Sequence, residues 1–212
     1  RGRRRGPQGM TSVGADRPAA GEWLARLRAR GALLDGHFRL SSGLHSPAYV
    51  QCALLLQHPG DAAAAGQALV EKLAGRVTPA PETIVSPAIG GIVLGQEVAR
   101  AWGARAIWAE RAGSDAEIAF RRGFSLAPGE RVVAVEDVVT TAGSIREVLA
   151  LCRSAGADVV AAAAVVDRSA GGVAWDVPWA SLVEIAVQQH APDSCPQCAA
   201  GVPVVKPGSR PV

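Results

Sequence analysis

The stretch from Val132 to Ser144 reads VVAVEDVVTTAGS. Its first four residues form an apolar run of the kind found in strands buried on both faces. Two adjacent carboxylates, Glu136 and Asp137, stand at the end of that strand. A turn, Thr140-Thr141-Ala142-Gly143, then leads into SIREVLALCRSAG, where Ile145, Val148, Leu149 and Cys152 make one apolar helical stripe. Side-by-side carboxylates repel and resist burial unless a cation or a hydroxyl-rich ligand lies between them and water. The free N–H groups and dipole of a helix's first turn attract anions, and Thr140, Thr141 and Ser144 add hydroxyl donors. An acidic pair one step from such a cup suits a ribose 5-phosphate. The plainer reading is a capped helix start whose acids face solvent. It would win for an isolated Thr-Gly-Ser turn, but the apolar strand before and the amphipathic helix after favour a ligand.

The same strand–turn–helix unit recurs on either side. ETIVSPAIGG is a short apolar strand breaking into glycines, IVLGQEVARAWG a helix, ARAIWAER a strand, and ADVVAAAAVVDR a further strand. Repeated units with wholly apolar strands predict a parallel sheet with helices on both faces, with ligands along the edge where the strands end. Between two of the strands RAGSDAEIAFRRGFSLAPGE predicts an extended loop or β-arm. Upstream, GEWLARLRARGALL predicts a helix ending near Gly31. HFRLSSGLHSPAYVQCALLL predicts a hairpin turning at Ser42-Gly43, and DAAAAGQALVEKLAG a helix capped by Asp61 and stopped near Gly75. The expected organisation is a tail over residues 1–18 and one domain over 19–212. Within that domain a small N-terminal part covers about 19–57, a core about 58–188, and an irregular proline-rich segment 189–212.

At 212 residues, 49% hydrophobic and 19% charged, the composition is that of one soluble domain with a core of small aliphatic side chains. The net charge of +3 is mild, and part of it sits in RGRRRG at the start. That segment reads as a solvated tail rather than a nucleic-acid reader, and Met10 is a candidate natural start. No apolar run is long enough for a membrane span or placed as a secretory signal, so a cytoplasmic protein is expected. Of the four cysteines, Cys195 and Cys198 form CPQC, with His190 just before. A closed zinc site needs about four ligands at characteristic spacing, and no second CxxC or His pair stands beside this one. The two thiols are therefore read as side chains of a tail, with a site shared across a dimer as the alternative.

VVAVEDVVTTAGS resembles the phosphoribosyl-pyrophosphate motif of type I phosphoribosyltransferases. GHFRLSSGLHSPAYVQ (Gly36 to Gln51) and VVDRSAGG (Val165 to Gly172) resemble segments of the orotate branch of that family. The resemblance implies a core parallel sheet with an N-terminal hood, and transfer of ribose 5-phosphate to orotate with release of pyrophosphate and formation of orotidine 5′-phosphate. It also implies Mg²⁺ held by substrate and water rather than by a dedicated protein site, a homodimer, and no nucleic-acid or membrane partner. Phosphoribosyl pyrophosphate (PRPP) would meet Glu136, Asp137, Val138, Val139, Thr140, Thr141, Ala142, Gly143, Ser144, Ser86, Gly90, Gly91 and Arg111. Glu136 and Asp137 would be the catalytic pair. Orotate would meet Ser41, Tyr49, Thr140 and Arg168, whose guanidinium can grip a carboxylate, with Val50 close by. Thr140 stands where 6-oxopurine enzymes carry an Asp, which counts against those bases.

Three departures from the family pattern are visible. Ala142 replaces a glycine, Gly90 stands where several members have a lysine, and the loop after Arg111 lacks the usual Lys and His, leaving Arg121 and Arg122 as candidate charges. The alternatives are a transferase for a purine base, or a regulator that binds PRPP without catalysis.

Overall fold

The computed structural model describes residues 20–40, 42–111, 113, 117–169 and 171–207. The expected tail over residues 1–18 and the candidate Ser41 lie outside them. A six-stranded sheet forms the core in the order β5-β4-β3-β6-β7-β8. Its strands are β3 (Thr83–Pro87), β4 (Arg105–Glu110), β5 (Ala119–Phe120), β6 (Arg131–Val139), β7 (Asp158–Asp167) and β8 (Trp179–Glu184). All neighbours pair in parallel except β5, a two-residue antiparallel edge on β4. From β3 the chain steps outward to β4, then returns to add β6 on β3's other side. The strand order thus reverses between β3 and β6, where open α/β sheets form their ligand crevice.

Side-chain alternation assigns the helices to faces. Val133 and Val135 of β6 join the core beneath α1 (Ala20–Ala29), α3 (Pro59–Ala74) and α4 (Gly91–Trp102). Val132 and Ala134 join the opposite core, where α5 (Gly143–Ser154) presents Ile145, Val148, Leu149 and Cys152. The runs VVAV and AAAAVV are therefore apolar because both faces of β6 and β7 are covered. The insertion after β4 is less solvated than its composition predicts. Phe120, Phe124 and Leu126 lie against the α5-side core, and Trp108 meets Phe124 edge-on at 4.7 Å.

The N-terminal part is a separate antiparallel hairpin of β1 (Leu33–Arg39) and β2 (His45–Val50), followed by a short helix α2 (Ala53–Leu56). The expected hairpin is present, but it ends at Val50, and ALLL coils into helix instead of continuing the strand. Two further sequence expectations are corrected. Helix α3 begins at Pro59 with His58 as its cap; Asp61 lies in the first turn, where it pairs with Arg30 at 2.6 Å and Arg26 at 3.6 Å. Residues 189–207 are irregular but docked: Val205 pairs with Phe38 and His190 with His45, so the segment runs along both strands of the hairpin. A last helix, α6 (Pro196–Ala199), carries the CPQC pair.

A cleft of about 480 Å³ opens at the sheet's other edge, among Glu82, Arg105 and Glu130. Its charges satisfy one another. Arg105 pairs with Glu130 at 2.8 Å, and Thr83 also donates to Glu130. Burial alone would raise the Glu130 carboxyl, but those donors and the Ala127 N–H hold it below its ordinary value. This network ties strand starts together and leaves no partner to seek.

Helix α3 packs tightly on α4 at Gly66, where an added Cβ would lie 2.7 Å from the Glu97 carbonyl carbon. Alanine is the better helix former by ~1 kcal/mol. The clash is with backbone and should outweigh that gain. Gly66→Ala is expected to lower stability by ~1–3 kcal/mol, read as a reduced denaturant midpoint.

Candidate functional site

The site is assembled at the C-terminal ends of β3, β6 and β7. Strand β6 continues through the acids to Val139, because β7 runs beside it to Asp167. Glu136 and Asp137 therefore sit within the strand rather than after it. Both acids are thus carried on a paired strand and not on a loop. The side-chain alternation slips just after them, since Val138 packs with Val133 and Val135 while Val139 joins Val132 and Ala134. Val139 is wholly buried in the α5-side core and Val138 packs on the other side, so each can offer a ligand only its backbone.

Burial, with Asp137 beside it, pushes the Glu136 carboxyl up to about 8, against donors from the Ser144 hydroxyl and the Ile145 N–H. Glu136 thereby takes one of the first-turn N–H donors of α5, that of Ile145, while Thr140 and Thr141 beside it are exposed. Asp137 is likewise raised, chiefly by burial, with the Val138 N–H and its own N–H in opposition. Beneath it, the Cys52 thiol reaches the Asp137 carbonyl at 3.6 Å, joining the end of the hairpin to the acidic strand.

Ala142 caps α5 with φ +62° and its methyl buried. A left-handed alanine costs ~1–2 kcal/mol, and burying one methyl returns ~0.8 kcal/mol. The near balance explains how alanine is tolerated where the resemblance expects glycine.

Across the crevice, the β3–α4 loop carries Gly90 and Gly91, and its Ala88–Ile89 peptide bond is cis. A Cβ at Gly90 would lie 2.7 Å from an Asp137 oxygen, so a lysine could not occupy that position without displacing the carboxylate. Gly90 and Asp137 therefore fit each other. Ser86 is buried with its side chain tucked against the Gly91 and Gly95 positions of α4, so it too can contribute only backbone to the loop.

Arg111, at the end of β4, forms an ion pair with Glu147 on α5 and so stands beside the first turns of that helix. Arg122 is engaged by Glu110 at 3.1 Å, in a left-handed turn with φ +57°. Arg121 is exposed.

Arg168 follows β7, its N–H donating to Val139 carbonyl oxygen at 2.8 Å. Its Nε and Nη2 are buried with no hydrogen-bond partner among the described residues. Burial disfavours its charge, while the Tyr49 side chain nearby works in the opposite direction. Tyr49 comes from β2 and packs on Phe38 with ring centroids 5.9 Å apart. Tyr49 and Arg168, far apart in sequence, thus meet beside the Thr140 loop. The orphaned guanidinium nitrogens could not be inferred from sequence, where Arg168 looks equally like a surface ion-pair residue.

Residues 55–196 match the family model described as a phosphoribosyl transferase domain. The chain is 50% identical over 179 residues to the orotate phosphoribosyltransferase of Carboxydothermus hydrogenoformans, covering 84% of this chain and 92% of the relative. It is 47% identical over 189 residues to that of Pelotomaculum thermopropionicum, covering 89% and 97%. Among solved structures, the orotate phosphoribosyltransferase from Aeropyrum pernix is similar with a TM-score of 0.63 at 28% identity, over 75% of this chain and 91% of that one.

Two measurements check this geometry. From the ordinary Glu136 value of 4.5 up to about 8, the folded chain keeps a proton that the unfolded chain has lost, so stability falls as pH rises through that window. Glu136→Gln should therefore raise the melting temperature at pH 8, by roughly 2–8 °C, and leave it nearly unchanged at pH 4.5. At position 142, glycine should shift unfolding free energy by less than ~1 kcal/mol. Valine, β-branched at positive φ, should cost more than ~2 kcal/mol in the same denaturation series.

Proposed function

The chain belongs to the phosphoribosyltransferase family, among the orotate phosphoribosyltransferases, and from that premise we propose how its own residues transfer ribose 5-phosphate from PRPP to orotate. The bond from the anomeric carbon to pyrophosphate breaks, and a bond from that carbon to orotate N1 forms. Orotidine 5′-phosphate and pyrophosphate are the products. N1 reacts as the anion, so no side chain need take its proton.

The observation that carries the base assignment is the buried Arg168 guanidinium with two unpartnered nitrogens beside Tyr49. An unpaired buried guanidinium is costly unless a ligand anion completes it, and orotate offers a planar carboxylate. The ring would then lie between Tyr49 and Thr140. The 5-phosphate fits the first turn of α5, with Thr140 and Thr141 as hydroxyl donors, since the Ser144 hydroxyl already donates to Glu136. Glu136 and Asp137 would accept hydrogen bonds from the ribose hydroxyls, which replace the water that burial removes and so favour the ionised pair. Those anions then favour the positive charge that builds on the anomeric carbon. The β3–α4 loop would turn its backbone N–H groups toward pyrophosphate, with Arg111 adding charge from the β4 side.

A carboxyl pair raised by burial, with Asp137 adding its charge against Glu136, is a set of hard oxygens short of positive charge, which fits Mg²⁺ carried in by PRPP and its water. When bound, the ion supplies charge neutralisation of the leaving pyrophosphate. A two-fold homodimer goes with this reading, supported by the exposed apolar Ile89 and Val93 beside the β3–α4 loop. The four cysteines, all unpaired, fit a reducing cytoplasmic setting.

The test is the loss of orotate's ultraviolet absorbance with PRPP and Mg²⁺, and its kinetic dissection. Arg168→Ala is expected to raise KM for orotate by roughly 10–100-fold, the worth of a charge-assisted hydrogen bond, while KM for PRPP stays within about twofold. Asp137→Asn should abolish turnover. Equal effects of Arg168→Ala on both KM values would overturn the orotate assignment.

A further inference from the structure

We propose that the chain binds a structural zinc ion between its hairpin and its C-terminal segment, through His37 Nε2, His45 Nδ1, Cys195 Sγ and Cys198 Sγ. The four ligand atoms lie within 4.8 Å of one another. His37 Nε2 is 2.9 Å from His45 Nδ1, 3.4 Å from Cys195 Sγ and 3.7 Å from Cys198 Sγ; Cys198 Sγ is 3.3 Å from His45 Nδ1. A tetrahedral zinc with bonds of ~2.0–2.1 Å to nitrogen and ~2.3 Å to sulfur has ligand-to-ligand edges of roughly 3.3–3.8 Å. The cluster needs only small side-chain shifts to reach them. Two imidazoles and two thiolates are a donor set that zinc prefers.

Three further observations point the same way. His37 Nδ1 lies 2.8 Å from the Val202 carbonyl oxygen, which can only accept. That bond fixes the proton on Nδ1 and leaves the Nε2 lone pair facing the cluster, the second-shell arrangement usual for zinc-bound histidine. His37, His45 and Cys195 are each at most 5% exposed, so the site is closed, with Cys198 at its rim. A bulge in β1 between Asp35 and Phe38 breaks the pleat, burying both His37 and Phe38, so His37 is aimed by a local irregularity rather than by simple alternation.

The sequence hid this site because its second ligand pair is not beside CPQC. His37 and His45 stand eight residues apart on facing strands, and some 150 residues precede the cysteines. His190, the histidine nearest CPQC in sequence, is not in the cluster; it pairs with His45 through backbone alone. The ion would close four existing contacts into one joint: Val205 with His37 and Arg39, His190 with His45, and Gln197 with Gly36. A two-stranded hairpin is marginal by itself, and this joint would hold the strand that carries Tyr49. The site is independent of the activity proposed above.

Elemental analysis of the full chain, purified without chelator or affinity metal, is expected to give about one zinc per chain. Cys198→Ser at the exposed rim should reduce that at least tenfold with the circular dichroism unchanged, while His190→Ala should retain it. Cobalt added to the chelator-stripped wild type should give the intense visible bands of tetrahedral Co²⁺ and a thiolate-to-cobalt charge-transfer band. Zinc near zero in protein expressed with added zinc, or a weak octahedral cobalt spectrum, would overturn the proposal. So would zinc unchanged in Cys198→Ser. If that variant fails to fold, the wild-type cobalt spectrum decides alone.

Discussion

Burying Glu136 beside Asp137 opposes folding, and the surrounding structure is arranged to hold the pair regardless. A carboxyl raised to about 8 is one that the native state would rather keep protonated. It stays in place because β6 is hydrogen-bonded on both sides, to β3 and β7, and because the α5 donors Ser144 and Ile145 meet it. Gly90 leaves room for Asp137 on the far side of the crevice. The same strand reversal that opens the crevice between β3 and β6 supplies the rigid frame. Stability is thereby given up at the point where a hydroxyl-rich, positively accompanied ligand can restore it, a common trade at active sites.

Arg168 is the counterpart of opposite sign. It too is partly buried and unsatisfied, and it lies where β7 ends, next to the loop that follows β6. Acids on one side and an orphaned guanidinium on the other give the crevice a polarity. Carboxylates line one end of it, and a cation stands at the other end near the hairpin's Tyr49. The departures from the family pattern make sense in this frame. A lysine at Gly90 would have to displace the Asp137 carboxylate, and Arg122 is occupied by Glu110. Under the proposed reaction, cationic help for pyrophosphate falls to Arg111 and to backbone N–H groups, together with the Mg²⁺ that the substrate brings.

Much of this was legible in the sequence where chemistry and local periodicity coincide. The apolar runs of β3, β6 and β7 announce a covered parallel sheet, and the stripe on α5 announces the helix behind the Thr140 turn. What escaped was set by partners distant in the chain. Strand β6 extends past its acids because β7 pairs with it as far as Asp167, a tertiary effect that no window of residues contains. Strand β8 is six residues in a stretch without strict alternation, and it is held by its pairing along β7. Asp61 gave a plausible cap, yet Pro59, whose fixed φ suits a first helical position, starts the helix sooner. The meeting of Tyr49 with Arg168, and of two hairpin histidines with two C-terminal cysteines, depends on how hairpin and tail dock on the core.

That docking also sets an order of events in the life of the chain. Val202 meets His37 across a separation of 165 residues, and Val205 and His190 pair with the same hairpin. The core strands β3, β4 and β6 lie close together in the chain, but the hairpin's outer partner follows all of them. Contacts of such long range carry the largest loop-closure entropy and form late. The strand that carries Tyr49 is therefore expected to reach its final packing only after the sheet has formed.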